Sequence, residues 1–164
     1  MRIRMLPAIT AALLVCASTA HAVPQPSNCY GITVGSVTPA TSAKLQPGMA
    51  APNSTLFDIR LSSAAISSST KVTALGNGVR IQLPPNYETS TKRYPVIYLL
   101  PGTGGLSYKS WSEMLPTTSI VGNREVILVM ADGGKNSWYT DWVDQSVAQK
   151  WETFHLQQLV PWVD

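Results

Sequence analysis

Along the chain the apolar positions gather into two short continuous runs, Val96 to Leu100 and Val126 to Met130, each stopped by turn-forming residues. Runs of this length without polar alternation suit strands buried on both faces, as in a parallel sheet. Leu56 to Leu61 predicts an earlier strand, and Ser62 to Thr70 a polar loop. Lys71 to Leu75 and Val79 to Leu83 flank Gly76-Asn77-Gly78, a hairpin signal, with Pro84-Pro85 closing the second arm. Ser107 to Leu115 predicts a helix, with Ser107 or Ser110 as its cap and Pro116 at its end. From Gln145 the period becomes helical. Trp151, Phe154 and Leu159 share one face, Trp162 lies near the end, and Pro161 kinks or frames the last turn. Antiparallel strands leading into alternating strand and helix predict an α/β sheet with parallel inner strands.

The amino-terminal third has no such pattern. Residues 1–22 combine a basic start (Arg2, Arg4), an apolar stretch from Met5 to Ser18 and an Ala20-His21-Ala22 site, which reads as a secretory signal peptide cut after Ala22. Its apolar run is short for a membrane span, and no second run is longer. Val23 to Thr55, rich in Pro, Ser, Thr, Gly and Ala, reads as an irregular leader, and residues 56–164 as the folded part. Removing residues 1–22 changes the charge picture. The formal net charge of +3 becomes +1, with ten basic against nine acidic side chains, so nucleic acid is not an expected partner. Cys29 is then the only cysteine, either buried and unpaired or bonded to a partner elsewhere.

The candidate chemistry follows the first apolar run. In Arg93 to Gly105, Pro101 ends the run and Gly102, Gly104 and Gly105 follow. Glycines there let the backbone turn tightly and aim a free N–H at a ligand. A plain tight turn is the alternative. Asp132, after the second run, either faces substrate or bonds its own backbone. Trp138, Tyr139 and Trp142 either line an acyl groove or pack beneath a loop; packing is favoured for Trp142. His155 is expected as a partly exposed helical residue, without metal-ligand spacing to any carboxylates. No serine has a G-x-S-x-G setting. Ser107 comes nearest, with Lys109 in place of the last glycine.

The segments RIQLPPNY, YPVIYLLPGTGG, VILVMADGGKNSWYTDW and KWETFHLQQLVPW resemble the secreted Putative esterase family of α/β-hydrolases, which includes the fibronectin-binding mycolyltransferases. The match is most specific at Ser137 to Trp142 and Lys150 to Phe154. The resemblance implies a serine acyl-enzyme mechanism on carboxylic esters, without metal or organic cofactor. It makes the Thr103 backbone amide an oxyanion donor, with Gly102 and Gly104 allowing the turn and Trp138 touching substrate. It also implies that the serine elbow, acid and histidine follow the last helix, so that residues 1–164 form the amino-terminal part of the sheet, truncated before the elbow and inactive alone. The family's mycolyltransferases carry an aspartate and an arginine where this chain has Pro101 and Gly104, which favours a general esterase over mycolyl transfer. The Val96 to Leu100 strand would then expose its edge to self-association or a strand-adding partner. A non-catalytic secreted module binding carbohydrate or protein, suggested by five tryptophans between Trp111 and Trp162, is the alternative.

Overall fold

In the computed structural model the described residues are 26–40, 43, 55–66, 77–102, 107–134, 137–144 and 149–164. They form one five-stranded mixed sheet. In chain order the strands are β1 (Ile32–Pro39), β2 (Leu56–Ser63), β3 (Gly78–Gln82), β4 (Val96–Leu99) and β5 (Ile127–Ala131). In space the order is β1-β2-β3-β5-β4. The first three neighbouring pairs are antiparallel, and β4 with β5 is parallel. Between β4 and β5 run two short helices, α1 (Ser110–Met114) and α2 (Thr117–Val121). The chain closes with a π-helical stretch, Thr153–Leu159, continuing into α3 (Val160–Val163).

The alternation of side chains along a strand sorts the core into two faces. Phe57, Ile59 and Leu61, Val79 and Ile81, and Val129 and Ala131 project to one face, where Trp151, Phe154 and Leu159 of the terminal helix cover them. The helical face expected from the sequence is therefore the one that packs. Leu56, Leu128 and Met130 project to the other face, joined by Val121 and flanked by Leu99 and Trp111.

That second face also holds a buried ion pair. Asp58 and Arg80 sit directly opposite each other across β2 and β3. The Arg80 guanidinium donates to both carboxylate oxygens, at 2.6 and 3.0 Å, and to Ser112 Oγ at 2.6 Å. Arg80 is fully buried. A planar guanidinium matched to a carboxylate and a hydroxyl keeps such a charge satisfied away from water. Ser112 belongs to α1, so the pair also docks that helix on the sheet.

Several expectations change. Strand β1 lies inside the stretch read as irregular. Its residues are mostly exposed, so no apolar alternation announced it, and pairing with β2 makes it a strand. The antiparallel partners of β3 are β2 and β5, while residues 71–76 of the expected hairpin lie outside the described residues. The Val96 strand is not buried on both faces. Among the described residues β4 is an edge strand, with Ile97 47% exposed, whereas β5 is buried as expected. Helix α1 starts at Ser110, later than expected, because the Ser107 backbone N–H and carbonyl are taken up by Ser110 in a turn just before it. Cys29 is disulfide-bonded, not a free thiol. Residues 1–22 of the expected signal peptide lie outside the described residues. Among the described residues no helix is long and apolar enough to cross a membrane.

Candidate functional site

The parallel pair β4 and β5 places two loops side by side at its carboxyl end, the position where open α/β sheets bind ligands. After β4 come Leu100, Pro101 and Gly102. After β5 come Asp132, Gly133 and Gly134, then the turn Ser137 to Trp142. Thr103 and Gly104, two of the expected site residues, lie outside the described residues. Gly102 is exposed, and Pro101 is buried.

Asp132 is buried and behaves first as a loop organiser. Its Oδ1 accepts the Gly133 N–H at 3.0 Å and the Gly134 N–H at 3.4 Å. This is the turn-forming role that the sequence left open beside a substrate-facing one. Its Oδ2 is buried without a hydrogen-bond partner. Burial pushes the carboxyl up to about 6, against the opposing pull of the two backbone N–H groups and of Arg60.

His155 is buried, not partly exposed. Its Nε2 lies 2.9 Å from the Asp132 carbonyl oxygen, which can only accept, so Nε2 carries the proton. The ring is stacked on Trp151, tilted against Tyr139 and edge-on to Phe154. Burial holds its pKa below the ordinary imidazole value. A histidine enclosed by aromatics, with its one N–H committed to backbone, braces the β5 loop, and its unprotonated Nδ1 is buried without a hydrogen-bond partner.

The turn after Gly134 is strained. Trp138 and Tyr139 both have left-handed backbones, φ 57° and 55°. Two successive non-glycine residues in that region cost on the order of 1–3 kcal/mol each. Several bonds hold the turn. Ser137 Oγ donates to the Gly133 carbonyl, the Tyr139 N–H donates to Ser137 Oγ at 3.2 Å, and the Trp142 indole donates to the Ser137 carbonyl at 2.8 Å. The Tyr139 ring packs over Gly133, where any Cβ would come within 2.5 Å of it. Its hydroxyl donates to the Pro101 carbonyl and so joins the two loops. Trp138 is thrown outward and is 72% exposed. Trp142 is 37% exposed, so its packing beneath the loop is partial.

Sequence reasoning did not single out Asp141 and Thr153. Asp141 accepts the Thr153 N–H at 3.0 Å and the Thr153 hydroxyl at 2.6 Å, closing the start of the terminal helix. Burial opposes its charge, but these bonds outweigh that effect and hold its pKa below the usual carboxylate value. Asp141 and Lys150 also form an isolated β-bridge. The two sequence segments Y-T-D-W and K-W-E-T-F are therefore one physical unit. Their spacing in the sequence was the signal, but only coordinates show that one caps the other.

Among the described residues no group of histidine, cysteine and carboxylate side chains is arranged to hold a metal ion. The arrangement offers a backbone turn at the β4 exit, gripped from the β5 loop, beside an exposed indole. The chain is 39% identical over 88 residues to Esterase Rv1288 of Mycobacterium tuberculosis, covering 53% of this chain and 19% of that protein. It is 28% identical over 93 residues to the diacylglycerol acyltransferase/mycolyltransferase Ag85A of Mycobacterium gordonae, covering 52% of this chain and 26% of that protein. The aligned part of the chain thus spans about a fifth to a quarter of the length of these relatives. A family model described as Putative esterase matches residues 73–164, from before β3 through α3. The chain belongs to the Putative esterase family.

Proposed function

We propose that residues 56–164 form the carbonyl-facing part of an exported serine esterase or acyltransferase that works on carboxylic esters through an acyl-enzyme. The observation that carries this reading is the family match across both loops of the parallel pair, with the β4 exit gripped by Tyr139. In this reading the Thr103 backbone N–H donates to the oxyanion of the tetrahedral intermediate. Gly102 and Gly104 permit the turn, and Trp138 contacts the acyl or alcohol group of the substrate. The attacking serine, its histidine and its acid come from outside residues 1–164, in which no G-x-S-x-G occurs. The burial of His155 among aromatic rings supports leaving it out of the triad. Export through residues 1–22 belongs to the same proposal.

In this reading residues 1–164 do not acylate themselves. The purified 164-residue chain is expected to resist labelling by a fluorophosphonate serine probe. The positive test is a chimera in which residues 73–164 replace the matching segment of Esterase Rv1288. Hydrolysis of a p-nitrophenyl ester by the chimera is the expected result. A folded chimera without esterase activity would contradict the reading.

The exposure of Trp138 favours a second reading, a secreted carbohydrate-binding module. A free indole face at a strained turn suits stacking on a sugar ring. The purified chain retained on immobilised glycans, and released by Trp138→Ala, would support this second reading over the first.

A further inference from the structure

We propose that Tyr139 is a positioning residue that fixes the Pro101–Gly102 peptide plane, and with it the start of the turn at the β4 exit; this role rests on the esterase reading above.

Two successive carbonyls at the end of β4 are each held by a side chain from another element. The Leu100 carbonyl accepts the Trp111 indole N–H from α1 at 2.9 Å. The Pro101 carbonyl accepts the Tyr139 hydroxyl from the β5 loop. Pro101 has a ring-fixed φ, which removes one of the two rotations that could turn the peptide. The chain contains no cis peptide among its described residues, so the Pro101–Gly102 unit is trans and planar. In a trans peptide the C=O and N–H point in opposite directions. Pulling the carbonyl toward Tyr139 therefore aims the Gly102 N–H away from the β5 loop. That N–H has no hydrogen-bond partner among the described residues, and Gly102 is exposed.

The strained turn is what brings the phenol there. With extended or helical φ at Trp138 and Tyr139 the chain direction would change, and the ring could not both cover Gly133 and reach Pro101. The strain is offset by the ring contacts with Gly133 and His155 and by the hydroxyl bond. A turn whose first peptide plane is already fixed loses little freedom when an oxyanion arrives, which is the condition for strong electrostatic stabilisation.

The test reads the peptide plane directly, without substrate, in the 164-residue chain. By NMR relaxation, the Gly102 N–H in the native protein should show an order parameter of about 0.85. Tyr139→Phe, which keeps the ring and removes the hydroxyl, should lower it below about 0.6 and shift the Pro101 carbonyl carbon while the chain stays folded. Trp138→Ala should leave both signals in place. A second measurement does not depend on Tyr139→Phe folding. With 3,5-difluorotyrosine at 139, whose phenol ionises below that of tyrosine, the Pro101 carbonyl signal should titrate with the phenol. Asp132 and His155 face the same ring but are present in the native protein too, so their titration appears in both forms and is subtracted. An unchanged Gly102 order parameter in Tyr139→Phe, or a Pro101 signal indifferent to the fluorinated phenol, overturns the proposal. Neither result depends on ester turnover, so failure here is distinct from failure of the chimera.

Discussion

Asp132 is the residue whose burial has the clearest thermodynamic consequence. Its folded-state pKa of about 6 lies above the ordinary 3.8, so the folded protein holds this proton more tightly than the unfolded chain. The stability that this contributes is complete below pH 3.8 and is lost as the pH rises through about 6. A displacement of about two pKa units is worth on the order of 3 kcal/mol. Asp132→Asn keeps an Oδ1 acceptor for Gly133 and Gly134 but carries no charge. It should raise the melting temperature by several degrees at pH 8 and leave it unaltered near pH 4, as followed by circular dichroism. His155 acts in the opposite direction. Its folded pKa is lowered, so its contribution is present above the ordinary 6.5 and is lost as the pH falls through the lowered value. Asp132 was legible in the sequence as a turn residue after a buried strand. The burial of His155 was not, because its neighbours Tyr139 and Asp132 reach it from 16 and 23 positions away.

At the scale of elements, the terminal helix and the sheet depend on a few contacts that can be removed singly. Phe154 is fully buried between the sheet and Trp151. Phe154→Ala should cost about 3–5 kcal/mol in chemical denaturation. Asp141→Ala, which removes the oxygen acceptors of Thr153, should cost about 1 kcal/mol. The buried pair behaves differently. Asp58→Ala leaves the Arg80 charge without its carboxylate and should destabilise by about 3–5 kcal/mol, while Asp58→Leu with Arg80→Met should recover much of that loss. A double variant as unstable as the single one would show that the pair itself, not the orphaned charge, sets the stability. Strands β2 and β5 and the helical face of Trp151, Phe154 and Leu159 were readable because their apolar periods match their geometry. Strand β1 was not, because an exposed edge strand needs no apolar pattern. The strained Trp138–Tyr139 turn was not readable either, since nothing in those two side chains favours a left-handed backbone.

For the whole molecule, the decisive feature is where β4 lies. As an edge strand among the described residues, it presents backbone N–H and C=O groups beside the exposed side chains of Ile97 and Leu100. Such an edge invites another strand. The isolated 164-residue chain is expected to self-associate with rising concentration in sedimentation, and Ile97→Lys should reduce that association. A chain that stays monomeric at high concentration would contradict the expected strand-adding surface. The same edge borders the loop assigned to carbonyl chemistry, so the fold and the proposed function meet at one end of one strand. The most direct test is a crystal structure of the Esterase Rv1288 chimera carrying residues 73–164 and trapped with a phosphonate ester. The account predicts the phosphonyl oxygen within about 3 Å of the Thr103 backbone nitrogen. A phosphonyl oxygen held elsewhere, with the Thr103 amide bonded back into its own loop, would contradict it.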